Sequence, residues 1–149
     1  MNRKWHFICS IIFFVTLMIL FKAVTITLIV IPIFWGTYFP DADLSFKSHR
    51  NITFHSLLIP FIIMIFNFEL LTILILLSTG FHCWCDITIF KNKMKGTYTI
   101  VLIPSVTLNF LLFKTKTKEV RMNGILSTVW LVGNFIISLI IFIVYMVLL

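Results

Sequence analysis

Charge is what this sequence has least of. Only 11% of its 149 residues are Asp, Glu, Lys or Arg, against about 25% in a typical soluble domain. That little polar surface does not coat a water-facing globule, which argues against an ordinary soluble enzyme and against a disordered tail. Acidic residues are the scarcest, 5 against 12 Lys and Arg, for a net charge of +7. In a soluble chain such an excess points to a polyanion partner. Here no nucleic-acid partner is expected, and the cations read as loop residues held at an anionic membrane surface. Cysteine is sparse too. Three residues, with Cys83 and Cys85 two apart and Cys9 distant, make no disulfide framework. Alanine is nearly missing beside 17 Phe, a bias we attribute to coding composition rather than function.

What remains is apolar: 60% hydrophobic residues and a mean hydropathy of +1.11, the composition of an integral membrane protein. The strongly apolar stretches are Phe7–Phe21, Ala23–Trp35, Leu57–Thr79, Tyr98–Phe113 and Ile125–Leu149. A helical span needs about 20 apolar residues, and only the last stretch meets that without qualification. Arg3 and Lys4 followed by Phe7–Phe21 resemble a signal peptide, but no small-x-small cleavage pattern follows and the chain stays apolar to Phe34. A retained membrane segment is therefore expected. Lys22 divides the first two stretches, leaving either a hairpin or one long kinked helix, and Pro32 favours a kink. Tyr98–Phe113 carries Pro104 and has Lys91, Lys93 and Lys95 on one flank and Lys114, Lys116, Lys118 and Arg121 on the other. The positive-inside rule sets both flanks on one side, so this piece either re-enters the membrane or breaks the rule. The fold expected is an all-α, polytopic membrane bundle of about four or five membrane helices, with residues 1–149 forming one domain.

The few ionisable groups are concentrated. Asp41, Asp43, His49 and His55 occupy one window, His82 and Asp86 another. Such groups cost several kcal/mol near a bilayer core and are functional candidates by default. Asp41 and Asp43, just after Pro40, can lean into one site. His82 and Asp86 are i and i+4, on one helical face about 6 Å apart. For the windows to meet, Leu57–Thr79 has to fold back. Asn67-Phe68-Glu69 is a polar break at which Asn67 can cap a second helix and Glu69 can sit in its first turn. Helices over Ser56–Phe66 and Phe68–Asp86 then return His82 and Asp86 to the level of His55, each leg running roughly 18–20 Å at 1.5 Å per residue. This short helical hairpin, carrying the site, is expected to fall short of crossing and to leave the site near the interface.

With these residues in order, the sequence resembles a family. Pro40-Asp41-x-Asp43, His49-Arg50, Thr53-Phe54-His55-Ser56 and Gly80-x-His82-x-x-x-Asp86 look like the "PDxD … HRG-x-THS … HxxxD" pattern of the YdjM-type membrane-bound metal-dependent hydrolases. His6-x-x-x-Ser10 is similar to that family's N-terminal "HxxxG/S". The order of ligands also resembles that of zinc phospholipase C and P1 nuclease. Asn51 stands where the pattern has Gly, one extra residue separates His49 from His55, and the phospholipases' second His-x-x-x-Glu has no counterpart. The resemblance implies a divalent-metal site of Asp41, Asp43, His55, His82 and Asp86. Carboxylate and imidazole ligands favour zinc, with manganese and iron also suited. It further implies hydrolysis of a phosphoester or lipid head group at the membrane interface, with Arg50 holding phosphate and His49 or Asp43 moving a proton. Membrane lipids are the expected surroundings, in a multi-pass protein of the cell membrane whose basic loops put the site on the cytoplasmic side.

Plainer readings exist. His82 and Asp86 can form a hydrogen bond that fixes packing, and Asp41 and Asp43 suit a solvated turn. His6 beside Trp5 reads as an interfacial residue, and Cys83 and Cys85 as buried free thiols. Trp5, Trp35, Tyr38, Trp84, Tyr98 and Trp130 read as interfacial anchors. The competing function is a non-enzymatic small membrane protein whose structural metal or hydrogen-bond site supports a partner complex. A metal or proton transporter fits less well, since the polar residues cluster at one level instead of lining a path.

Overall fold

A computed structural model describes residues 3–42, 51–88, 101–103, 107–110, 113–116, 120–122 and 124–148. Among them are α1 (Arg3–Leu20), α2 (Ile26–Tyr38), α3 (Leu58–Phe66), α4 (Leu70–Thr88) and α5 (Gly124–Leu148), with strands β1 (Val101–Ile103), β2 (Thr107–Phe110), β3 (Phe113–Lys116) and β4 (Val120–Arg121). The core is wholly helical and is organised around α4, which packs against α1, α2, α3 and α5. Its first half is apolar all round, which suits a helix enclosed by others, and Ile73, Leu74, Leu76 and Leu77 have no exposed surface. The outer helices each turn one stripe inward: His6, Ser10, Phe14 and Leu17 on α1, and Ser127, Leu131, Asn134, Ser138 and Phe142 on α5. Their outer faces carry exposed Ile12, Ile19, Val30, Ile136, Ile140 and Val147.

Two glycines set how closely α4 is held. A Cβ on Gly36 of α2 would lie 2.8 Å from the Ser78 carbonyl oxygen, and one on Gly80 would lie 3.0 Å from the Asn134 carbonyl oxygen and clash with Ser138. Small residues at these crossings let backbones approach and side-chain hydroxyls bond across helices, as membrane helices commonly do. Ser78 Oγ donates to the Pro32 carbonyl, and Trp35 Nε1 donates to Thr79 Oγ1 at 3.2 Å. The helix α2 runs on through Pro32. Lys22 lies in the turn between α1 and α2, so the first two apolar stretches form two helices rather than one.

The fold-back between α3 and α4 is present where the polar break predicted it, with different capping. Asn67 closes α3, its N–H donating to the Ile63 carbonyl at 3.0 Å. The start of α4 is capped by Thr72, whose hydroxyl accepts from the Glu69 N–H at 3.2 Å and donates to the Asn67 carbonyl at 2.6 Å. Helix α3 begins at Leu58, so His55 lies in the turn before it. The α4 segment Leu70–Ile87 is itself long and apolar enough to cross a membrane, as is Gly124–Leu148, whereas α3, the other leg of the hairpin, has nine residues. Lys4–Leu20 and Ile26–Ala42 are apolar but shorter.

Part of Tyr98–Phe113, taken above as an apolar membrane piece, forms strands. β1 pairs antiparallel with β4, and β2 with β3 in the register Thr107–Lys116 to Phe110–Phe113. The stretch is rich in the β-branched residues Ile100, Val101, Ile103, Val106 and Thr107, and Pro104 would interrupt a helix.

Candidate metal centre

One end of the bundle gathers the ionisable residues. By connectivity this end holds the start of α1, the end of α2, the turn before α3, the end of α4 and the start of α5. His6 comes from the second turn of α1, where it extends that helix's buried stripe. Asp41 follows Pro40 in the short helical turn that closes α2. His82 and Asp86 lie one turn apart near the end of α4. All five residues, His55 included, are buried, none more than 5% exposed.

The turn carrying His55 is built by Asn51. Its side-chain oxygen accepts from the Thr53 N–H at 2.9 Å, and its carbonyl accepts from the N–H groups of Phe54 (3.1 Å) and His55 (2.9 Å). Asparagine favours such turns, so the residue that departs from the family pattern has a local task here. Helix α5 holds the same turn from the other side. Trp130 Nε1 donates to the His55 carbonyl at 3.1 Å, and Asn134 Oδ1 accepts from the Leu57 N–H at 3.0 Å. Leaving that buried N–H without a partner would cost about 1–3 kcal/mol. Trp35 and Trp130 thus have structural partners within the bundle, beyond the role of interfacial anchors given them above. Asn134 was not singled out from the sequence; its signal is a lone amide in a largely apolar helix, a polar group of the kind that bonds between membrane helices, though nothing local names its partner.

Asp86 is the hub. Its Oδ1 lies 3.3 Å from His6 Nε2, and its Oδ2 lies 3.5 Å from His55 Nε2 and 3.8 Å from His82 Nε2. His82 Nε2 is also 4.0 Å from Asp41 Oδ1. The rings of His6 and His82 stack at 4.0 Å with 10° between planes, and His55 meets His82 edge-on at 5.5 Å. His6, His82 and Asp86 form one group able to hold a metal ion, and Asp41, His55 and His82 form another, each with its ligand atoms within 4.8 Å of one another. His82 belongs to both.

The donor set fits a divalent cation. Bonds of 2.0–2.2 Å in a tetrahedral site put ligand atoms roughly 3.3–3.6 Å apart, close to the separations above. Asp41 and Asp86 supply two negative charges, which would balance a divalent ion with neutral imidazoles, as burial demands. His82 provides the sharpest indication. Its Nδ1 is 2.6 Å from the Gly36 carbonyl oxygen, which can only accept, so Nδ1 carries hydrogen. Nε2 has no hydrogen-bond partner, and in the neutral ring it turns a lone pair toward two carboxylates. A buried ring nitrogen facing carboxylates in this way is an arrangement that a bound cation would bridge.

Asp41, His55, His82 and Asp86 therefore meet as the sequence predicts, and His6 joins them rather than remaining an interfacial residue. Asp43, His49 and Arg50 lie outside the described residues. Cys83 and Cys85 are buried free thiols outside both groups. An apolar cavity of about 340 Å³ borders the His55 turn, lined among others by Thr53, Ser56, Phe61 and Trp130.

No protein-family model, curated protein or solved structure matches this chain. What the family resemblance implies accordingly rests on the motif residues.

Proposed function

We propose that this chain is a membrane-embedded, metal-dependent hydrolase of the YdjM-type kind, acting on an amphiphilic phosphoester such as a lipid head group. The observation that carries the reading is the convergence of three buried imidazoles and two buried carboxylates from separate parts of the sequence at one end of an apolar bundle. Zinc is the metal the ligand types suit best, ahead of manganese and iron.

His6, Asp41, His55, His82 and Asp86 would hold the ion. When bound it supplies Lewis acidity toward a phosphoryl oxygen and toward water. Asp43 and His49 are the proposed groups for proton movement, and Arg50 for a bidentate grip on phosphate. The apolar cavity beside His55 suits the tail of an amphiphile whose head reaches the centre.

Membrane embedding is supported by two helices of sufficient length and apolarity and by outer faces that leave Ile19, Ile26, Phe66, Ile125 and Val147 each more than 60% exposed. Apolar surface of that extent marks contact with lipid or protein. Of the 12 Lys and Arg, all but Lys22 fall in stretches of sequence joined to the site's end of the bundle. The positive-inside rule then favours a multi-pass arrangement with that end cytoplasmic. A strand pairing of residues 107–116 removes the conflict of two basic flanks, because a short hairpin returns to the side it left.

Detergent-purified protein loaded with zinc is to be screened against phospholipid micelles and water-soluble phosphodiesters. Hydrolysis that chelation abolishes and zinc restores is expected, with micellar substrates preferred. Bound metal without cleavage of any phosphoester would favour the structural-site alternative.

A further inference from the structure

We propose that Pro40 is a positioning residue for His82, acting through the Gly36 carbonyl. In an α-helix a carbonyl is taken by the N–H four residues on. For Gly36 that residue is Pro40, which has no N–H to give. The carbonyl at the end of α2 is thereby left for His82, whose Nδ1 reaches it at 2.6 Å.

The contact is one rung of a ladder. Ser78 Oγ donates to the Pro32 carbonyl one turn earlier on both helices, so the pairs 32/78 and 36/82 share one offset. The Gly36 backbone, without a Cβ, lets α4 approach closely enough for both rungs. Fixing hydrogen on Nδ1 turns the Nε2 lone pair toward Asp41 and Asp86. A ligand histidine commonly has its second nitrogen tied in this way, and loss of such an outer partner costs about 10–100-fold in metal affinity. An alanine at position 40 would supply an N–H that competes for the same carbonyl. The consequence for metal rests on the metal-centre reading; the tautomer does not.

The test uses full-length protein in detergent with ¹⁵N-labelled histidine, without added metal, followed by zinc titration. Wild type is expected to show His82 protonated at Nδ1 and bare at Nε2. Pro40→Ala should show mixed tautomers and zinc binding about 10–100-fold weaker. An α-hydroxy acid analogue of alanine at position 40, which also lacks the N–H, should restore both. Ser78→Ala should leave the tautomer in place. Protonation of His82 at Nε2 in wild type, an unchanged Pro40→Ala spectrum, or failure of the hydroxy acid variant to fold or to restore the tautomer would overturn the proposal. The expected tautomer shift without any zinc binding to wild type would uphold it while removing the metal reading.

Discussion

Asp86→Asn is expected to weaken zinc binding by at least about 100-fold, beyond the loss usual for an outer-sphere partner, and to abolish metal-dependent hydrolysis. Among the described residues the carboxylate is the one group with an oxygen near His6, His55 and His82 alike, at 3.3, 3.5 and 3.8 Å. Asparagine keeps the shape but removes half of the negative charge that would offset a divalent ion. It also replaces one oxygen with an NH₂ group, which cannot serve as a ligand. The first half of α4, which makes the apolar core, is untouched, so helical content should be retained. Calorimetric zinc titration and circular dichroism on the same sample separate the two effects. Equal affinity in wild type and variant would remove Asp86 from the ligand set.

The second large effect is expected at the crossing of α2 and α4. Gly36→Ala places a Cβ 2.8 Å from the Ser78 carbonyl oxygen. That neighbour is backbone and cannot rotate away, so the helices must separate. Overpacking costs about 1–3 kcal/mol, and loss of the bonds from Ser78 and His82 adds about 1 kcal/mol each. A destabilisation of about 4 kcal/mol is the central expectation, measured by denaturation in mild detergent. Ser78→Ala should not rescue it, because the carbonyl contact remains. Zinc affinity should fall with stability, since the His82 support depends on the same approach.

The candidate site was more legible in the sequence than its surroundings. Asp41, His55, His82 and Asp86 stood out because charge is rare in an apolar chain, and Asn67-Phe68-Glu69 announced the fold-back that brings them together. The i, i+4 spacing of His82 and Asp86 needed only helix geometry. His6 was harder to read, since its stripe with Ser10, Phe14 and Leu17 looks like any buried face, and only the arrival of α4 turns its imidazole into part of a cluster. The support from Trp130 and Asn134 depends on a contact across more than 70 residues, which no local pattern encodes. Strand formation between residues 101 and 121 was obscured because high apolarity masks the β-branched signal. The task of Pro40 came into view only once Gly36 and His82 were placed side by side.

Imidazole and carboxylate groups from separate parts of the sequence are proposed to hold one divalent ion. X-ray absorption at the zinc edge of loaded, dialysed wild-type protein tests it most directly. Nitrogen and oxygen neighbours at about 2.0–2.2 Å, with the outer scattering of imidazole rings, are the predicted result. Sulfur neighbours at about 2.3 Å, which would implicate Cys83 or Cys85, or the loss of all zinc on dialysis, would contradict it.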